Sequence, residues 1–370
     1  MGVTMKGPCE RPGENEDQRE EVIAPAGCFA GVPEADKDSE ADSDSDLETE
    51  GIHGLREPIR DALHLGSCRA YSIVPTIYFL NQGCAPELKL RHRGLGPQGA
   101  WALASTLTSN PYIKRLDLQD NGLCAAGAEA LAYVLSKNSS ICDVDLSENQ
   151  IGVAGAQALC AALKVNQAVQ KIQLAGNSLE EKAAQYLAEL LLVHTGLKSL
   201  DVSYNQLNDQ AGETLGPALA ENTGLTELNI SWNHLRGPGA IVFARGLEAN
   251  IFLKVLDISF NGFGDSGASA VGEALKANNV LEELNMRVSR NPMQTEGCSH
   301  LLKSVRDNPA SALELLDFSD MQVNREFDDL ASSVKVILPG LCMKTGAPRV
   351  NYKKELLPVF RPPPPASALK

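Results

Sequence analysis

One residue type recurs at a fixed interval through the middle of this chain. Six asparagines are each separated by 28 residues: Asn121, Asn149, Asn177, Asn205, Asn233 and Asn261. Each lies in an L-x-x-L-x-L-x-x-N-x-L pattern, with Val, Ile or Phe at some leucine positions, as in IKRLDLQDNGL (113–123) and LTELNISWNHL (225–235). A period of this length predicts a stacked array, because one unit alone cannot bury its apolar face.

The second half of each unit has helical spacing, as in GAEALAYVLSKN (127–138) and GASAVGEALKAN (267–278). We therefore predict an α/β solenoid, a partial horseshoe with a parallel inner β-sheet, outer α-helices and about nine repeats over residues 85–323. The units at both ends depart from the pattern, as caps do. Arg93 and Met321 replace the asparagine in the first and last units, and the unit at 281–293 needs a two-residue insertion to place Asn291.

The repeat length and the asparagine resemble the ribonuclease-inhibitor-like class of leucine-rich repeats. The phrases LNISWNHLRGPGA (228–240) and LDISFNGFGDSGA (256–268) are also similar to the leucine-rich repeat-containing protein 74 family. This resemblance implies the solenoid fold, and it assigns no catalytic residue.

The flanking segments differ in composition from the array. Residues 1–50 contain 15 acidic and 4 basic residues, a net charge of −11 that leaves −3 for the remainder, and we expect a disordered acidic tail. Residues 51–84 are apolar enough for an N-terminal cap that would contact Trp101. We assign residues 324–359 to a C-terminal cap and residues 360–370, which contain RPPPP, to a proline-rich tail.

The acidic tail offers two interpretations. It could fold back on the basic first repeat, at Lys89, Arg91, His92 and Arg93, or it could remain a free solubilising segment. Its candidate phosphorylation sites each precede an acidic residue by three positions: Ser39, Ser43 and Ser45. Phosphorylation there would increase the negative charge of the tail.

Composition and motifs argue against several classes of function. The nearly neutral array disfavours nucleic acid, the longest apolar run is too short for a membrane span, and the nine cysteines with no export signal predict reduced thiols in the cytoplasm, or in the nucleus. The GLGPQG motif (94–99) matches a dinucleotide fingerprint, but GFGDSG (262–267) shows that the repeat itself generates it. We therefore expect a monomer with no cofactor, metal or catalytic residue.

Two columns of residues on the predicted concave face are candidate partner-binding residues. One runs along the strands and includes Asp117, Asp145, Asp201 and Asp257. The other immediately precedes the asparagines and carries Tyr204, Trp232 and Phe260 in three successive units. Adjacent rings of this kind favour an interface, whereas the alternatives are a solvated face and local packing of the rings on each other.

The sequence thus predicts a non-enzymatic scaffold or regulator that binds a protein partner on the concave face and at the carboxyl ends of the strands. Two alternatives stay open. One is a GTPase regulator, because Ran-type GTPase activators resemble this repeat class, and the other is a cytoskeletal protein with tropomodulin-like actin binding. The asparagines are expected to be structural, because their amides can satisfy buried backbone groups.

Overall fold

The computed structural model describes residues 65–67, 69, 85–287, 291, 293–319 and 324–345. Within these residues, ten parallel strands form one open sheet in which each strand pairs with the next in sequence. The strands are β1 (Glu87–Lys89), β2 (Arg115–Asp117), β3 (Asp143–Asp145), β4 (Lys171–Gln173), β5 (Ser199–Asp201), β6 (Glu227–Asn229), β7 (Val255–Asp257), β8 (Glu283–Asn285), β9 (Leu315–Phe318) and β10 (Cys342–Thr345).

One helix connects each strand to the next, and neighbouring helices pack side by side. The helices are α1 (Gly96–Leu107), α2 (Cys124–Lys137), α3 (Gly152–Val165), α4 (Glu181–Val193), α5 (Asp209–Glu221), α6 (Gly237–Ala249), α7 (Gly264–Ala277), α8 (Thr295–Arg306) and α9 (Arg325–Ile337). The predicted α/β leucine-rich repeat solenoid is therefore confirmed.

Each short strand contributes its middle residue to the buried core. In β1 to β8 the middle residue is at most 5% exposed, as for Leu116, Ile172 and Leu228. These residues are aligned in register from strand to strand, as Leu116 is with Leu88. Full burial of each such side chain contributes about 1.5–3 kcal/mol, so the stacked leucines hold successive repeats together.

The sheet is one strand longer than the nine repeat units of the sequence pattern. Within the segment that we assigned to a C-terminal cap, β10 pairs in parallel with β9, placing Cys342 opposite Leu315 and Thr345 opposite Phe318. The strand sequence CMKT lacks the alternating leucines of the other units, which is why the pattern does not reveal it.

Glycine allows α5 and α6 to pack with their backbones in close contact. A Cβ atom on Gly246 would lie 2.2 Å from the carbonyl oxygen of Gly216, and one on Gly239 would lie 2.1 Å from that of Asp209. Since real Cβ atoms do not approach other atoms so closely, the two helices could not keep this separation with alanine at either position.

A second column of asparagines lies at the carboxyl ends of the helices, and our sequence reasoning missed it. Its members are Asn110, Asn138, Asn166, Asn222, Asn250, Asn278 and Asn308. In Asn138, for example, the side-chain nitrogen donates to the carbonyl oxygens of Leu107 (2.7 Å) and Asn110 (2.8 Å) in the preceding repeat. The side-chain oxygen accepts the N–H of Ile141 (3.0 Å). This helix-end column therefore ties each helix end to its neighbour.

Histidine replaces asparagine once in the helix-end column. His194 is fully buried, its Nδ1 accepts the N–H of Leu197 at 2.9 Å, and its Nε2 lies 3.1 Å from the carbonyl oxygen of Asn166. This arrangement suits a neutral imidazole with the proton on Nε2. Burial lowers the pKa of His194, and the bond to the Asn166 carbonyl opposes that effect only in part.

We expect Gly246→Ala to lower the free energy of unfolding by about 1–3 kcal/mol, because the added methyl group would separate α5 from α6. Helix propensity favours alanine over glycine by about 1 kcal/mol. A decrease in the free energy of unfolding would therefore come from the steric contact between the two helices. Thermal and denaturant unfolding followed by circular dichroism would measure it. The control is Gly340→Ala, where no described atom lies within 4 Å of the added Cβ, and equal stability of both variants would refute the close contact.

We expect the stability of the wild-type protein to fall more steeply below pH 6.5 than that of His194→Asn. The folded-state pKa of His194 is lowered, so the unfolded chain binds a proton at this residue more readily than the folded chain does. The contribution of His194 to the free energy of unfolding is therefore complete above the unfolded pKa of about 6.5 and is lost as the pH falls. His194→Asn restores the amide of the column and removes the titration. Melting temperatures at pH 8.0 and 5.5 test this, with exposed His234→Asn as the control.

Candidate functional site

The asparagine ladder consists of the six asparagines at 28-residue spacing, and it shapes the loops that follow the strands. In Asn177, the side-chain nitrogen donates to the carbonyl oxygens of Leu146 (2.9 Å) and Ala175 (3.2 Å). The side-chain oxygen accepts the N–H groups of Asn149 (2.9 Å) and Ile151 (3.4 Å) in the preceding repeat. All six members are at most 4% exposed: Asn121, Asn149, Asn177, Asn205, Asn233 and Asn261.

Asn291 continues the asparagine ladder in spite of the two-residue insertion. Its side-chain oxygen accepts the N–H of Phe263 at 3.1 Å, and its side-chain nitrogen donates to the carbonyl oxygen of Ile258 at 3.3 Å. The insertion therefore falls in the sequence between β8 and Asn291 and leaves this contact between repeats intact.

The residue before each of the six ladder asparagines, and the residue before Arg93 in the first unit, adopt a left-handed backbone conformation. Their φ angles are between +51° and +66° in seven successive units: His92, Asp120, Glu148, Gly176, Tyr204, Trp232 and Phe260. In this conformation an L side chain is strained by roughly 1–2 kcal/mol, and the strain is absent for glycine. The sequence gives no direct sign of this strain.

Tyr204, Trp232 and Phe260, which we call the aromatic triplet, form a continuous stack. The ring centroids of Tyr204 and Trp232 lie 5.0 Å apart with an interplanar angle of 13°. Those of Trp232 and Phe260 lie 4.1 Å apart at 18°. Tyr204 is 58% exposed, and the other two rings are half-buried. The structure thus brings together the three rings that the sequence placed in one column.

A depression of about 670 Å³ extends from the aromatic triplet across strands β7 to β10. Its lining includes Asp257, Glu283, Arg287, Asp317 and Lys344. The carboxylate of Asp317 is buried, and its Oδ2 lies 3.5 Å from Nε of Arg287 and 4.0 Å from Nζ of Lys344. The depression therefore presents charges of both signs beside an aromatic wall.

Burial affects the acidic side of this depression. The pKa of Asp257 is raised by its burial, and the nearby carboxylate of Asp201 adds to the rise. Hydrogen bonds from Ser259 and the positive charge of Arg287 act in the opposite direction. Asp257 is therefore a half-buried carboxylate with internal partners, and it retains some exposed surface.

The four predicted partner-binding aspartates do not have equal access to a partner. Asp117 and Asp145 are 1% and 3% exposed, and both carboxylates accept hydrogen bonds from Arg91. Asp201 and Asp257 are half-buried, and each binds the N–H of the serine two residues later at 2.9 Å. Asp117 and Asp145 therefore have almost no surface left for a partner, whereas Asp201 and Asp257 stay partly accessible as candidate contacts.

The basic first repeat also forms contacts within the array. Arg91 lies between Asp117 and Asp145, and Nδ1 of His92 lies 2.8 Å from Oδ2 of Asp120. Much of the charge that a folded-back acidic tail would meet is therefore balanced locally. The tail itself, with Ser39, Ser43 and Ser45, lies outside the described residues, as does the proline-rich tail.

The GLGPQG segment is explained by the turn before α1. Gly94 and Gly96 have φ angles of +60° and +61°, and a Cβ on Gly99 would lie 2.9 Å from that of Leu95. The glycines therefore serve the turn and the contact between the turn and the helix. In the described part of the chain, no group of three or more His, Cys, Asp or Glu side chains could hold a metal ion, and no helix has the length and apolar character of a membrane span.

We expect Asn177→Ala to lower the free energy of unfolding by about 1–3 kcal/mol, because two backbone N–H groups and two carbonyl oxygens would lose a partner inside the array. Chemical denaturation would measure the change. Gln206→Ala, which removes an exposed amide near the same edge, is the matched control. A wild-type unfolding curve for Asn177→Ala would contradict the role of the ladder.

Comparison with known proteins agrees with this architecture. A family model described as Leucine Rich repeat matches residues 109–132, 137–160, 194–216, 221–244 and 249–272. Among solved structures, the chain is similar to Leiomodin-1 Actin-Binding Site 2, with 17% identity, coverage of 40% of this chain and 86% of that chain, and a TM-score of 0.35. It is also similar to the tropomodulin C-terminal domain of Caenorhabditis elegans, with 20% identity, coverage of 41% and 92%, and a TM-score of 0.36.

Two curated relatives are much more similar in sequence. Leucine-rich repeat-containing protein 74B of Mus musculus is 63% identical over 111 residues, which cover 30% of this chain and 28% of that protein. Leucine-rich repeat-containing protein 74B of Homo sapiens is 74% identical over 392 aligned positions, which cover 99% of this chain and 100% of that protein. This chain belongs to the leucine-rich repeat-containing protein 74 family.

Proposed function

We propose that this chain is a non-enzymatic scaffold or regulator that binds a protein partner through the aromatic triplet and the adjoining sheet edge. A leucine-rich repeat family indicates protein–protein interaction in general, because such arrays present long, regular surfaces for binding. The aromatic triplet supports a specific location for that general function in this chain.

The exposed stack of three aromatic rings carries the proposal. Two stacked pairs contribute about 1–3 kcal/mol together, whereas three residues in the left-handed conformation cost about 3–6 kcal/mol. His92, Asp120 and Glu148 have the same conformation without a ring, so the repeat does not require aromatic residues in this column. Exposed aromatic rings are enriched at protein interfaces.

The depression beside the triplet supplies polar contacts for the same partner. Its carboxylates and the side chains of Arg287 and Lys344 can pair with groups of either charge, which favours a protein surface over a uniformly charged polymer. Asp201 and Asp257 stay candidate contacts at the border of the triplet. The GTPase-regulator and cytoskeletal alternatives, the cytoplasmic location and the monomeric state stay predictions.

Proximity labelling in cells would test the proposed function with the full-length chain. The test variant replaces Tyr204, Trp232 and Phe260 with asparagine, which tolerates the left-handed conformation and removes only the rings. We expect the partners that are labelled by the wild-type chain to fall by tenfold or more with this variant, because interface aromatics carry a large share of binding energy.

A matched variant replaces three large residues that are exposed on the helices, Tyr133, Val165 and Leu192, with serine. It changes a similar number of exposed apolar side chains at a different surface, and it should label the wild-type partners. Circular dichroism melts of both variants establish that they fold. If the triplet variant folds and recovers the same partners as the wild-type chain, the proposed site is wrong.

A further inference from the structure

The aromatic stack ends at a gap in its own column. Gly176 occupies the position 28 residues before Tyr204, and it has the left-handed conformation of the other column members, with φ at +66°. Its N–H donates to the carbonyl oxygen of Ser203 at 3.0 Å, just as that of Tyr204 donates to Ser231. The backbone is therefore in register with the triplet, and the side-chain layer is missing.

The gap leaves one face of Tyr204 open. The other face stacks on Trp232 at 5.0 Å with the planes nearly parallel, so the open face points toward the Gly176 layer. The exposed fraction of Tyr204, 58%, agrees with this arrangement. Ring spacings of 4.1 and 5.0 Å match the separation of adjacent strands, about 4.8 Å, so one more planar group fits the empty layer.

The far side of the gap is acidic. Glu148 is exposed, and its Cγ lies 3.1 Å from the position that a Cβ atom on Gly176 would take. Its Oε1 accepts a hydrogen bond of 3.2 Å from Nε2 of Gln119, which holds the carboxylate at this edge. Asp201 is half-buried on β5, the strand next to β4, and adds negative charge near this edge. A group in the gap would thus have an aromatic face on one side and the carboxylate of Glu148 on the other.

We propose that the gap over Gly176 is a slot for an arginine side chain of the partner protein. The guanidinium group is planar and positively charged, so it can stack on the open face of Tyr204 and pair with Glu148 at once. A neutral aromatic ring could stack on Tyr204, but it would cover the Glu148 carboxylate without pairing with it. A lysine ammonium group could pair with Glu148, but it has no planar face to stack on Tyr204. This inference rests on the proposed function and defines one contact within that interface.

A random twelve-residue peptide library displayed on phage, selected on the full-length protein, tests the slot. We expect the selected peptides that need the aromatic triplet to share one arginine. Gly176→Asn fills the gap with a residue that tolerates the left-handed conformation, and Glu148→Gln removes the charge without filling it. Each change, and replacement of the peptide arginine with citrulline, should weaken binding roughly 3- to 30-fold.

The control is Glu227→Gln, which removes an exposed carboxylate from the amino-terminal end of β6 and should leave affinity within twofold. The slot is wrong, and the proposed function stands, if the peptides that need the triplet lack arginine. The same holds if those peptides bind folded Gly176→Asn and Glu148→Gln as tightly as they bind the wild-type protein. If the selected peptides bind the triplet asparagine variant as tightly as the wild-type protein, both the slot and the proposed function are wrong.

Discussion

The amide of the ladder asparagine is the contact on which the rest of the array depends. Strands of three or four residues provide few backbone hydrogen bonds, and the loops after them are buried against the next repeat. Each asparagine satisfies carbonyl groups and N–H groups that belong to two successive repeats. The helix-end column does the same at the carboxyl ends of the helices, so both layers are linked at every step.

This geometry separates the residues that hold the array from those that a partner can contact. The ladder asparagine is buried, whereas the residue before it is turned outward in the left-handed conformation. That position accepts His92, Asp120, Gly176 and Trp232 alike, so the fold constrains its backbone and leaves its side chain variable. Because the units are in register, the side chains at this position in neighbouring repeats form one surface. Three successive aromatic residues there form a stack.

The 28-residue period was sufficient to predict the solenoid and to place the three rings in one column. It could not show that Asp117 and Asp145 would be buried under Arg91, because that contact spans three repeats and depends on the orientation of a long side chain. The helix-end asparagines share the same period. They were missed because they lie at the end of segments whose helical spacing was sufficient to assign them to helices. β10 has no leucine pattern, and pairing with β9 alone reveals it.

The distribution of charge favours the triplet over the start of the array as the proposed contact surface for a partner. In the first units, Arg91 forms ion pairs with Asp117 and Asp145, and His92 is hydrogen-bonded to Asp120, so the carboxylates there already have internal partners. Glu148 is the first acidic member of the column beyond those pairs, and Gly176 separates it from the exposed ring of Tyr204. An exposed carboxylate next to an open aromatic face has more to gain from a partner's cation than a pair that is already formed, since no internal ion pair must be broken first.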